Sequence, residues 1–529
     1  MVNNIILGAA VKSTLTSIQK SRESVDKTAE RLATGLKVNR ATDQPQNFFR
    51  ASALTATANN YNTLLDKMAI GVRTIQQASA GVEAIENILR LAEIKALEAK
   101  DALEKTGSAL PDTILADTPV GYFRLGDADT TTALNLGTLG AGGDGTYTNG
   151  VTQGDEILFY GAGGLPARFS GTGQYVAVPN DDSINTNGPF PRRTVELIFN
   201  ADTVSGRQVL WEEGGTVNSL NIYIDDGVLR VNGRTTNAGG YGPLDISVPI
   251  NAGESYHVAF TQERGDSTNG FNGQFIGYLN GEEFGRASIG TAMIGNHPNQ
   301  NGIGAVNNNV YFHDDGPGNA PSRGDGTFSF SGQISDVAIY NTIIDSAGMQ
   351  ARYEATSLPL SEQYRQEMLV FLEQIADVVE DTNYRGINLL TKEELIVKFN
   401  DQNTSKLEVT GADFTLESLR LDDVRFQKPS HVEAAINRIR KAIEQTREFG
   451  TSLSNDLNII QTRQDFSRNL INIHKAGASD LLRADLNEEG ANLLSSQTRL
   501  ELGTTALSLA GISQQSILEI FGTSSGLFL

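Results

Sequence analysis

Two adjacent carboxylate pairs, Glu212-Glu213 and Glu282-Glu283, are the side chains of this sequence best suited by type to acid–base or nucleophilic work. Retaining cleavage of a glycosidic bond needs two carboxyl groups about 5 Å apart across one face. Neighbours on a strand point to opposite faces, so neither pair meets that need, and in a turn they are ordinary surface acids. The five histidines, His257, His297, His313, His431 and His474, are scattered with no metal-ligand or catalytic spacing. Cysteine is absent, which removes thiolate nucleophiles, disulfides and cysteine-based zinc sites together. Trp211, the single tryptophan, could offer a flat platform to a sugar, but a core position is the better reading. Arg264-Gly265-Asp266 and Arg323-Gly324-Asp325 resemble integrin-binding tripeptides, although Gly-Asp is ordinary turn chemistry. The chain is therefore read as something other than an enzyme.

The elements that carry these residues fall into two kinds. No lysine lies between Lys105 and Lys392, and 40 of the 54 glycines lie within 108–357. Across that stretch the helical period disappears and short alternating strands stand between Gly, Asn and Asp turns. Arg168 to Pro179, Leu220 to Ile224, Val228 to Val231, Tyr256 to Thr261 and Phe275 to Leu279 all read this way. Many such strands imply a β-sandwich or jelly roll, bracketed by Pro111 and Pro359. The net charge of −21 disfavours nucleic acid and anionic membrane surfaces as partners, and the middle segment alone carries 27 carboxylates against 11 arginines.

Both ends of the chain are glycine-poor and written in apolar heptads. Val11, Leu15, Ile18, Val25, Ala29, Leu32 and Leu36 form a narrow stripe interrupted by Arg22. Leu54, Ala58, Tyr61, Leu65, Met68, Val72, Ile75 and Val82 continue the pattern, and helix-compatible sequence runs to Leu103. Fifty helical residues make a rod of roughly 75 Å. Val432, Ile436, Ile439, Ile443, Leu453, Leu457, Ile460 and Ile471 make a second long seam, and Leu493, Leu500, Leu507, Leu518 and Phe521 a last one. Stripes of this length are not satisfied inside one compact domain, so they pair with each other and with copies of themselves. The terminal helices, rich in Ser, Thr, Gln and Ala, are marginal alone and fold on assembly. No stretch approaches the ~20 apolar residues of a membrane span, and the first residues lack the form of a cleaved leader.

Between the first two rods lies Glu30-Arg31-Leu32-Ala33-Thr34-Gly35-Leu36-Lys37-Val38-Asn39-Arg40-Ala41-Thr42-Asp43-Gln44-Pro45. This segment resembles the N-terminal signature of bacterial flagellins. Asn383-Tyr384-Arg385-Gly386-Ile387-Asn388-Leu389-Leu390 is similar to that family's turn before a β-hairpin, and Leu507 to Phe521 to its last polymerising helix. The resemblance covers 1–107 and 358–529. It implies terminal helices (1–45 and 484–529) forming the inner core of a filament. Beyond them it implies a helical rod (46–107 and 358–483) with a β-hairpin near 383–428. It further implies export without a cleaved signal peptide, an extracellular flagellar location, and self-association into a helical homopolymer for motility. Leu15, Ile18, Val25, Leu32, Leu500, Leu507, Leu518 and Phe521 are the expected self-assembly residues. A secretion chaperone, hook-junction proteins and a cap protein are the further partners so implied. Ala92-Glu93-Ile94-Lys95 departs from the Arg-Glu-Leu step of many enteric flagellins, which argues against recognition by the vertebrate innate flagellin receptor.

Pro119 to Asp127, Gly145 to Thr148, Phe169 to Gly171 and Gly332 to Asn341 resemble the laminin-G-like, or concanavalin-A-like, lectin and glucanase superfamily. That resemblance places an all-β jelly-roll sandwich over 108–357, on the outer surface. The expected fold is thus multidomain α+β: long α-helical coiled-coil rods with a small β-hairpin, plus the inserted sandwich. The Glu-x-Asp-x-x-Glu run of the superfamily's enzymes is missing. No cofactor is expected, except that Asp127 and Asp336 fall where relatives often hold a structural calcium ion; turns and caps are the alternative. The leading function is that of a flagellar filament subunit. The alternative is a filament-borne adhesin whose insert binds a glycan or other surface ligand, and a third is a cytoplasmic coiled-coil scaffold.

Overall fold

A computed structural model describes residues 9–522 apart from 237, 238, 299, 317, 319, 320 and 322, with side chains over 11–516. Helix α1 (Ala9–Thr34) is followed by α2 (Pro45–Lys105) and the short α3 (Leu110–Ala116). Sixteen strands then succeed one another among the described residues. They begin with β1 (Gly121–Phe123), β2 (Thr132–Ala133), β3 (Gly145–Thr148), β4 (Thr152–Gln153), β5 (Ala167–Ser170) and β6 (Tyr175–Val178). Next come β7 (Arg192–Ala201), β8 (Arg207–Glu213), β9 (Ser219–Asp225), β10 (Val228–Arg234) and β11 (Ile246–Pro249). The series closes with β12 (Ser255–Glu263), β13 (Gly273–Leu279), β14 (Glu282–Gly290), β15 (Asn301–Ile303) and β16 (Ser331–Tyr340). The chain ends through α4 (Ser346–Glu354), α5 (Leu358–Asp381), the hairpin β17 (Glu394–Lys398) and β18 (Lys406–Thr410), α6 (Leu416–Leu419), α7 (Pro429–Leu482) and α8 (Leu486–Gly522). The architecture is multidomain α+β.

The strands form two antiparallel sheets. One is ordered β14-β13-β12-β7-β16-β5-β4 with β1 also on β16; the other is β11-β10-β9-β8-β15-β6-β3-β2. Alternation along each strand sends one row inward. Val195, Leu197 and Phe199 of β7, Trp211 of β8, Phe260 of β12 and Phe275 of β13 meet there, with Phe260 and Phe275 stacked at 4.9 Å between centroids. Tyr122, Ile198, Ala259, Tyr278 and Tyr340 on the outer face of the first sheet are buried under Leu110 and Ile114 of α3, Met349 of α4 and Leu358 of α5. On the second sheet, Val209 and Tyr223 are covered by Val306, Val310 and Phe312.

Two details differ from the sequence-based expectation. The stretch 111–355 is not strand and turn throughout, because α3 and α4 stand at its ends. Their apolar side chains close the outer face of a sheet that is buried on both sides. Arg168 to Pro179 is not one strand: β5 and β6 belong to opposite sheets, and Gly171 and Gly173 take left-handed backbone at the crossing.

The chain divides into two compact units. One comprises 1–80, 382–412 and 450–529; the other comprises 81–381 and 413–449. The divisions fall within α2, within α7 and on either side of the hairpin segment 382–412. In the first unit Tyr61 stacks on His474, and the hairpin meets α2 at Gly71, where an added Cβ would lie 2.7 Å from Val397. In the second, Glu93 pairs with Arg440 at 2.6 Å, Glu86 with Arg447 at 2.8 Å and Lys95 with Glu367 at 3.1 Å.

Candidate assembly surface

Helices α1 and α8 pack along each other within the first unit. The reversal that brings them together is fixed by backbone bonds: Lys37 N–H donates to Leu482 O at 2.7 Å, and Ala484 N–H to Gly35 O at 2.9 Å. Gly35 supplies the left-handed turn. Asp43 accepts the N–H groups of Asn39 and Arg40, both at 2.9 Å, and these bonds hold its carboxyl below the usual range. The heptad-breaking loop of the sequence is thus a built turn. Further along, Arg31 pairs with Glu489 at 2.8 Å and Ser24 meets Ser496 at 3.0 Å. At Gly503 a Cβ would stand 2.9 Å from Ile18, so the missing side chain sets how closely the helices approach.

Of the expected assembly residues, Ile18, Val25, Leu32, Leu500 and Leu507 are half-buried, while Leu15 is exposed. Leu518 and Phe521 fall on α8, but their side chains lie outside the described residues. A different row is bare. Leu494, Leu502, Leu509 and Ile512 are between 58 and 67% exposed, and at 3.6 residues per turn they lie within about 80° of one another. A second row follows on α7, where Ile459, Phe466 and Ile473 repeat at heptad spacing with exposures of 44, 54 and 64%. Single exposed leucines are normal, but aligned rows of large apolar side chains mark interaction surfaces. The sequence contains the signal for both rows; what it lacks is which apolar face α1 takes.

Within the second unit, the residues that could do chemistry are tied into the fold. Trp211 is fully buried, 5.8 Å from Phe260, and offers no platform. Glu213 accepts from Arg193 at 2.9 Å and from His297 at 2.7 Å, all three buried. Burial alone would raise its carboxyl; Arg193 and His297 hold it below the usual value. Among the described residues Glu212 accepts only the Asn307 N–H, at 2.9 Å, and burial pushes its carboxyl well up. These neighbours therefore make separate bonds in separate surroundings. Glu282 and Glu283 are on β14, where Glu283 pairs with Arg286.

Arg323 is held by Asp315 at 2.8 Å and stacked on Phe312, so its tripeptide is not presented as a free loop. Asp266 is occupied with the Thr268 N–H and hydroxyl at 2.8 and 2.6 Å. Asp127 and Asp336, remote in sequence, line one cavity, and Arg124 lies 3.5 Å from Asp336. Among the described residues no group of three His, Cys, Asp or Glu is disposed to hold a metal ion, and no helix is long and apolar enough to cross a membrane.

Residues 7–109 match the family model of the bacterial flagellin N-terminal helical region. The chain is flagellin-like through these helices. A flagellin of Brucella melitensis is 26% identical over 169 residues, 29% of this chain and 60% of that protein. Flagellin FljM of Caulobacter vibrioides is 28% identical over 151 residues, 28% of this chain and 55% of that protein. The chain thus spans somewhat over half the length of these curated flagellins. Among solved structures, domain 4 of an extracellular arabinanase from Geobacillus stearothermophilus is 15% identical at a TM-score of 0.31, covering 45% of this chain and 98% of that one. The binding domain of botulinum neurotoxin DC is 10% identical at a TM-score of 0.32, covering 45% and 52%.

Proposed function

We propose that this protein is a structural subunit that self-assembles into a bacterial flagellar filament, with its sandwich carried as a surface domain. The observation that carries this reading is the bare apolar row Leu494, Leu502, Leu509 and Ile512 on a terminal helix whose opposite face is already taken by α1. Burying each such side chain stabilises by about 1.5–3 kcal/mol, and copies of the same chain are the partner able to cover rows repeated along a rod. The match of 7–109 to the flagellin N-terminal region supports the same partner.

Catalysis has no place in this reading, because the candidate carboxylates Glu212 and Glu213 are engaged in the interior. The absence of cysteine suits export as an unfolded chain, and the finished protein works outside the cell. The test is electron microscopy of the purified chain under polymerising conditions. Helical filaments are expected from it, and none from a Leu502→Asp/Leu509→Asp variant that keeps its helical circular dichroism.

A further inference from the structure

A hollow beside the first turns of α7 gathers two arginines against one carboxylate, in a molecule whose net charge is −21. Nothing in the filament reading uses it. It measures about 180 Å³ and is lined by Asp423, Arg425, His431, Ala434, Ala435 and Arg438. Pockets for drug-sized ligands measure ~300–1,000 Å³, so this one suits a small ion.

Two segments build it. Along α7, His431, Ala434, Ala435 and Arg438 follow one another at steps of three, one and three, which sets them on one face of the helix. The two alanines carry no bulk beyond Cβ and leave space between the imidazole and the guanidinium. The other wall is the link between α6 and α7. Val424 and Phe426 are buried there and anchor it, while Asp423 and Arg425, which alternate with them in sequence, line the hollow.

Asp423 aims both arginines. Its carboxylate accepts from Arg425 Nε at 2.8 Å, and its carbonyl accepts from Arg438 Nη1 at 2.8 Å. Arg425 Nη1 also donates to Ala252 O at 3.0 Å, on the loop that leads into β12, and Arg438 Nη1 lies 3.5 Å from Arg420 O. Among the described residues neither guanidinium makes a further hydrogen bond, so Nη2 of Arg425 and both Nε and Nη2 of Arg438 keep their donors. His431 Nδ1 is buried with no hydrogen-bond partner, so no bond fixes the tautomer of that ring.

Charge and geometry narrow the class. Burial, and then Lys428 and Arg425, push the His431 side chain down to about 4 against the opposing pull of Glu156 and Asp423, so the field at the ring is positive. A cation is repelled there. Free N–H forks on two walls match the oxygens of an anion, and a tetrahedral one presents oxygens to both walls at once where a planar carboxylate presents two in one plane. We propose that this hollow binds a small tetrahedral oxyanion, the class of inorganic phosphate or sulfate, held between Arg425 and Arg438 with His431 donating from the side. Because Arg425 also grips Ala252, the bound anion sits where the sandwich meets the start of α7.

NMR of the full-length chain tests this, with the chain kept unassembled by Leu502→Asp/Leu509→Asp and labelled with ¹³C at histidine Cε1. The five histidines give five resonances, and the one lost in His431→Gln is assigned. Phosphate and sulfate are titrated at pH 7 and compared with acetate and chloride at equal ionic strength. The His431 resonance is expected to move saturably with phosphate or sulfate at a Kd of about 10 mM or tighter, and with acetate or chloride at least about fivefold more weakly. The resonances of His257, His297, His313 and His474 should stay in place. Arg438→Gln should weaken binding about tenfold or more, and Ala434→Glu, which sets a carboxylate among the same donors, should abolish it, while Trp211 fluorescence and helical circular dichroism report an intact fold. No saturable movement of the His431 resonance with either oxyanion overturns the proposal. So does equal binding of chloride, or unchanged binding in both variants. The result is independent of filament formation, which microscopy reads separately.

Discussion

Glu196 of β7 and Arg352 of α4 lie 2.8 Å apart, each about 1% exposed, and fasten the exit of the inserted sandwich to its central strand. The same carboxylate accepts from His257 at 2.8 Å and from the Tyr340 hydroxyl at 2.6 Å, while Arg352 also reaches Asp117, just past α3, at 2.5 Å. Arg352 thereby ties the entry and the exit of the insert to one buried acid. Removing one partner from such a group leaves a buried charge uncompensated. Arg352→Ala should destabilise the sandwich by about 3–5 kcal/mol. Since Trp211 is the sole tryptophan and lies in that core, urea titration followed by its fluorescence reads this unit alone.

His431, near the start of α7, has a side chain pushed down to about 4, first by burial and then by Lys428 and Arg425; Glu156 and Asp423 act in the opposite sense. The unfolded chain takes up this proton near pH 6.5 and the folded one refuses it until about 4. Stability from this residue is therefore complete above 6.5 and lost as pH falls from 6.5 towards 4. His431→Gln should flatten the dependence of unfolding free energy over that window. The loss linked to Glu196 comes lower, because its carboxyl is held below 4.5. Denaturation midpoints at several pH values, compared between the two proteins, check the sign.

Gly503 allows α8 to approach Ile18. Gly503→Val should overpack this contact and cost about 1–3 kcal/mol, despite replacing glycine in a helix. Thermal loss of the 222 nm signal should begin at a lower temperature in the variant.

The sequence shows long rods, a turn at Gly35 and a β-rich middle because each is written in local periodicity or local turn chemistry. Other features depend on distant segments. Leu494 and Leu493 are neighbours on α8 and both fit a helical apolar stripe; which becomes half-buried and which stays bare is decided by α1. Tyr122 and Asp336 are 214 residues apart, so no spacing rule could place their hydrogen bond. Met349 makes α4 legible only once the sheet it covers exists. Trp211 was legible as core because a lone large aromatic in a sandwich more often fills the interior, and the structure buries it fully.

Electron microscopy of the full-length chain beside its Leu502→Asp/Leu509→Asp variant bears most directly on self-assembly. Filaments from the unaltered chain and folded, unassembled protein from the variant are the predicted result. Filaments of normal length from the variant, or none from the unaltered chain under polymerising conditions, would contradict it.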